Sequence, residues 1–215
     1  MTQPAPTDLE PPGVIRRRRV VVVVGLVIGG ALLGFSLTRQ PGDTSFYWLT
    51  LALAAIWTIG AVASGPLHLG RWRRPVTTGT VVGLLLGGAF LVGGLVAREI
   101  PGVREFVTRV LDFANHGPLM LVVFITVING VAEELFFRGA LYTALGKAYP
   151  AVVSTVIYVV TILATGNPML AFAGVILGSV CAWERRVTGG VLAPMLTHFF
   201  WGLVMVLALP PVFGV

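Results

Sequence analysis

Runs of about twenty apolar residues recur along this chain, and they restrict its fold more than any other feature. A lipid interior offers no water to hydrogen-bond a peptide group, so such a segment satisfies its backbone internally as a helix or joins a closed barrel. Barrel strands alternate apolar and polar side chains over about ten residues, whereas stretches such as Val20 to Thr38 and Val76 to Ala97 are apolar on every side. The fold class expected is therefore all-α, a polytopic transmembrane helix bundle. With 56% hydrophobic and 11% charged residues in a chain of 215, an ordinary soluble domain is excluded.

About seven spans are expected, at Val20 to Thr38, Phe46 to Leu67, Val76 to Ala97, Pro118 to about Tyr142, Ala151 to Thr165, Met169 to Trp183 and Val191 to Leu209. Residues 1–19, with four prolines and then Arg16 to Arg19, read as a disordered basic tail. The nineteen apolar residues that follow exceed a signal-peptide core and no small-x-small cleavage site comes after them, so the first span is read as uncleaved. Residues 20–97 then form three N-terminal transmembrane helices, 98–117 a connecting loop or interfacial helix, and 118–209 a four-helix core. Val103, Phe106, Val107, Val110 and Leu111 supply the apolar face of that interfacial helix.

The formal charge is +6, but the cations gather at the ends of apolar runs rather than on a soluble face, so the bilayer and not a nucleic acid is the expected partner. With the N-terminus inside and the C-terminus outside, eleven Lys and Arg fall on the inner side against four on the outer, as the positive-inside tendency favours. A multi-pass protein of the cell membrane is expected. The single cysteine, Cys181, allows no intramolecular disulfide and reads as a packing residue. Glycines at small-xxx-small spacing, Gly25/Gly29, Gly30/Gly34, Gly79/Gly83/Gly87 and Gly174/Gly178, mark faces where helix backbones approach closely.

Against this background Glu133, Glu134 and Arg138 are anomalous. A charged side chain at mid-bilayer costs roughly 2.5–3.5 kcal/mol on insertion scales, so a cluster persists when it is paired, lines a wet cavity or performs chemistry. Glu134 and Arg138 are spaced i,i+4 and share a helix face, where they can pair. Glu133 lies about 100° away around the same helix, with Asn129 one turn below it. One carboxylate is thus held ionised while the other meets a different environment, the usual division between structural and acid-base work.

His198 is the other ionisable group inside an apolar run, whereas His68 and His116 fall at segment ends, and Glu184, Arg185 and Arg186 read as a solvated loop flank. The spans offer neither an H-E-x-x-H pair nor a second interior histidine, so no metal and no cofactor is expected. A proton-coupled carrier using Glu133 would call for matching halves with broken helices, and the chain has none.

These residues resemble the CPBP intramembrane proteases, the CAAX-protease and bacteriocin-processing or Abi family, over roughly Leu119 to Leu209. The family's E-E-x-x-x-R motif is matched by Glu133, Glu134 and Arg138, and its last region is similar to Thr188 through His198. In its second motif, F-x-x-x-H, Tyr158 takes the aromatic position and Ile162 stands where histidine is expected; in its third, Gly202 replaces the amide or carboxylate after His198. The resemblance implies a glutamate-dependent intramembrane endopeptidase acting on a membrane-embedded or lipidated peptide, with Glu133 as general base, Glu134 with Arg138 as the structural pair and His198 as an oxyanion donor. Asn129, Thr161 and Asn167 are the auxiliary polar groups available to replace the missing ones. The alternative is a catalytically inactive relative that binds membrane-protein partners. Catalysis requires Glu133 and His198 within roughly 3–5 Å, a direct or one-water separation.

Overall fold

A computed structural model of the chain describes residues 11–70 and 75–215. Residues 1–10 of the expected tail, and Arg71, Arg73 and Arg74, which the expected orientation puts inside, lie outside the described residues. The described residues form helices without strands: α1 Pro12–Ser36, α2 Thr44–Ser64, α3 Pro75–Ala97, α4 Pro101–Asn115, α5 Leu119–Leu145, α6 Pro150–Leu163, α7 Pro168–Thr188 and α8 Leu192–Phe213. Apart from α4, each corresponds to one expected span. Five, namely α1, α2, α3, α5 and α8, are long and apolar enough to cross a membrane. The apolar α6 has 14 residues, about 21 Å at 1.5 Å per residue, and α7 carries three charged residues in its last turns.

The basic stretch expected to be tail is helical, because Pro12 at the first turn has a preset φ and no N–H to satisfy, and the residues after it propagate the helix. Arg16 to Arg19 are its early turns, and Arg18 is fully buried. The connection at 98–117 folds as the amphipathic α4, with Leu111 and Phe113 buried and Arg104, Glu105 and Arg109 exposed. Phe113 packs on Phe46 of α2 with ring centroids 4.5 Å apart.

The outward faces are hydrocarbon, including Val27, Leu85 and Val160, while Glu134, Arg138, Ser154 and Thr197 are buried. That inversion of a soluble protein's surface is what lipid selects. Inside, α5 lies against α2 and α8, α1 runs along α2, α3 along α8, and α6 along α7. Trp57, Phe136 and Phe137 centre the main core, with Val22, Leu53 and Tyr158 around them.

Packing here depends on small residues, as the spacing predicts. Gly25 and Gly29 seat Phe136 and Trp57, and Gly79, Gly83 and Gly87 bring α3 onto α8. A Cβ on Gly83 would stand 2.7 Å from the Thr197 carbonyl oxygen and 3.0 Å from Phe200 Cβ. Gly83→Val is therefore expected to lower stability by about 1–3 kcal/mol by forcing α3 off α8, measured as a lower unfolding midpoint in detergent.

Candidate active site

The C-terminal half of α5, over Glu134–Leu141, winds as a π-helix, a wider turn found mostly as short insertions within α-helices and frequently at functional sites. It carries the charged cluster into the bundle interior, facing α6, α7 and α8. Arg138 donates through Nη1 to Glu134 Oε1 at 3.0 Å and through Nη2 to the Gly178 carbonyl of α7 at 3.0 Å. Its guanidinium carbon sits 4.5 Å from the centre of the Tyr158 ring. The Arg138 carbonyl accepts the Arg185 Nε–H at 2.8 Å. The i,i+4 pair expected from spacing thus forms with both side chains fully buried.

Glu134 reaches further than that pair. Its Oε1 also meets His198 Nδ1 at 3.0 Å, across from α8. A carboxylate ionised against Arg138 can only accept, so the hydrogen bond assigns the proton to Nδ1 and turns Nε2 toward the other acid. That nitrogen lies 4.0 Å from Glu133 Oε2. Gly130 makes the approach possible, since a Cβ there would stand 2.9 Å from His198 Cδ2. The edge of Trp201 flanks the imidazole, with centroids 5.7 Å apart.

The two carboxylates divide by access. The Glu134 side chain has no exposure, whereas Glu133 keeps 15% and His198 9%. Glu133 receives the Tyr158 hydroxyl at 2.7 Å. The 4.0 Å between Glu133 and His198 exceeds a direct hydrogen bond and suits one bridging water. Chemically, Glu133 can take a proton from that water, and His198 can offer a hydrogen bond through Nε2 when both ring nitrogens carry protons.

The auxiliary groups point their hydrogen bonds elsewhere. Asn129 donates back to the Ile125 carbonyl at 2.9 Å, and Thr161 to Ile157 at 2.8 Å. Asn167 caps α7 through its Oδ1 and donates to the Phe106 carbonyl of α4 at 2.8 Å, which makes it a structural tie. Ile162 is seated on Gly174, and Gly202 faces the Thr126 methyl. Among the described residues, no three His, Cys, Asp or Glu side chains are grouped to hold a metal ion.

The expected solvated flank of Glu184 and Arg185 is corrected: both are buried, and only Arg186 of the three is exposed. α7 continues to Thr188, so its last turns lie inside the bundle, where Arg185 bonds the Arg138 carbonyl and stacks 4.8 Å over Tyr142. The hydroxyl of Tyr158 also escaped the sequence reading, although a polar atom at an otherwise aromatic motif position was a visible signal. Gly130 carried no such signal.

Fold and site together define a membrane-integral helical bundle with a carboxylate-histidine centre buried between its C-terminal helices. Residues 115–204, the stretch that holds every residue of the centre, match the family model described as type II CAAX prenyl endopeptidase Rce1-like. No curated protein and no solved structure matches the chain.

Proposed function

We propose that the chain is a glutamate-dependent intramembrane endopeptidase of the CAAX-protease-like class, acting on a membrane-embedded or lipidated peptide. The observation that carries this reading is the 4.0 Å approach of Glu133 Oε2 to His198 Nε2, with the imidazole held from behind by Glu134. Glu133 takes a proton from water, the water oxygen bonds to the peptide carbonyl carbon, and His198, protonated at both ring nitrogens, donates through Nε2 to the carbonyl oxygen that becomes negative. The C–N bond then breaks as the proton passes from Glu133 to the departing amine, so that water and peptide account for both products. Oriented donors and bases of this kind each contribute about 10²–10⁴ in rate.

The reading places the protein in the cell membrane with seven spans, N-terminus inside and C-terminus outside. α6 and α7 supply the two spans beyond the five long apolar helices, paired with each other. Leaving aside the buried Arg18, Arg138 and Arg185, eight Lys and Arg remain on the inner side against four outside.

The test is cleavage of a membrane-embedded peptide by the chain reconstituted in liposomes, beside the Glu133→Ala chain. Turnover that vanishes on substitution is expected; turnover that survives it removes the glutamate from the mechanism. The second reading, an inactive relative that binds membrane-protein partners, is favoured by Ile162 and Gly202, which present hydrocarbon where polar groups are expected. On that reading the unsubstituted chain shows no cleavage, and joint Ile162→His and Gly202→Asn substitution creates it.

A further inference from the structure

Glu133 is a base on a helix whose neighbouring polar groups are already committed: Glu134 to Arg138 and His198, Asn129 to its own helix. A glutamate has three side-chain torsions, and a base free to sample them spends little time aimed at the reacting oxygen. Among the described residues, the hydrogen bond that ties the Glu133 carboxylate down is the one from Tyr158 of α6, 2.7 Å long and 25 positions away in the chain. It ends on Oε2, the same oxygen that stands 4.0 Å from His198 Nε2.

Tyr158 is itself immobilised on three sides. Arg138 lies over its ring at 4.5 Å, Phe137 meets it edge-on with centroids 5.0 Å apart, and Gly178 lets it sit so close that a Cβ there would be 3.0 Å from Cδ1. Only 3% of the residue is exposed. The clamp uses the ring alone. Packing and cation–π attraction would be served equally by phenylalanine, so the hydroxyl is surplus to the core and is spent on Glu133.

We propose that Tyr158 is the positioning residue for Glu133: its hydroxyl fixes the carboxylate so that Oε2 stays on the side facing His198, aimed at the attacking water. This role rests on the endopeptidase reading above. Tyr158 keeps its proton throughout, so the balance of the hydrolysis is unchanged. The bond is charge-assisted, and its loss frees the base without removing it.

Tyr158→Phe in the full chain, reconstituted in liposomes, is the test. The turnover number is expected to fall about ten- to hundredfold, as for a hydrogen bond to a charged group, while KM and the unfolding midpoint hold. Replacement by a fluorotyrosine, which restores the hydroxyl on the same ring, should return turnover to within severalfold. In infrared difference spectra taken against Glu133→Gln, the Glu133 carboxylate band should shift in the Tyr158→Phe chain and not in the fluorotyrosine chain to the same extent. Full turnover by Tyr158→Phe, while Glu133→Ala is dead, overturns the positioning role and leaves the endopeptidase reading intact. A fall in unfolding midpoint matching the fall in rate, or an unshifted carboxylate band, also overturns it. No cleavage by the unsubstituted chain removes the reading and this role together.

Discussion

Glu133→Gln is expected to lower turnover of a membrane-embedded peptide by about 10²–10⁴-fold, the range for loss of a positioned general base. Glutamine has the shape of glutamate and its amide oxygen still accepts the Tyr158 hydroxyl, so the helices around it have no cause to move. What disappears is the ability to take a proton. Because Glu133 is the acid that retains access, its replacement orphans no buried cation: Arg138 remains paired with Glu134. The unfolding midpoint should therefore stay within the small changes typical of substitutions away from buried networks. Measuring turnover and midpoint on one preparation separates a chemical loss from a folding loss. A parallel fall in both would make Glu133 a structural residue.

Arg138→Ala should show the opposite pattern, a loss of about 3–5 kcal/mol in stability, the range for removing one partner of a buried ion pair. Glu134 has no exposure, so water cannot replace the lost cation. The Gly178 carbonyl would lose its donor, and the Tyr158 ring the charge on its face. Alanine also leaves a cavity between Tyr158 and Gly178, where the buried guanidinium sat. The companion chain, with Arg138→Met and Glu134→Leu together, removes both charges and fills the volume, and it should recover much of the stability. It should not recover cleavage, because His198 Nδ1 then has no acceptor to set its tautomer. The comparison is read by denaturant unfolding in detergent alongside the cleavage assay. A single Arg138→Ala chain as stable as the original would show that the pair contributes little.

The two substitutions assign different work to adjacent residues, and the basis for that difference is only partly local. Glu134 and Arg138 were legible as a pair because i,i+4 spacing places them on one face of any helical turn, and the π-helical winding keeps them in contact. That Glu133 is the accessible acid depends on how α5 is rotated against α6 and α8. The glycine stripe of α3 was legible as a packing face, but not that α8 would be its partner. Asn167 looked like a spare polar group near the site. Its position just ahead of Pro168, at the start of a helix, makes it a cap, which is where asparagine is most effective.

What the amino-acid sequence determines by itself is what depends on near neighbours and on the solvent. Apolar runs with charges at their ends enforce helices in lipid, glycine spacing marks their contact faces, and the E-E-x-x-x-R stretch announces both a pair and a surplus acid. The tertiary structure alone decides which groups meet that acid. Tyr158 and His198 lie 25 and 65 positions beyond Glu133, and Arg185 reaches Arg138 across 47. Such contacts follow from the rotation and depth of whole helices, which the summed packing of α5 to α8 sets and no local spacing encodes.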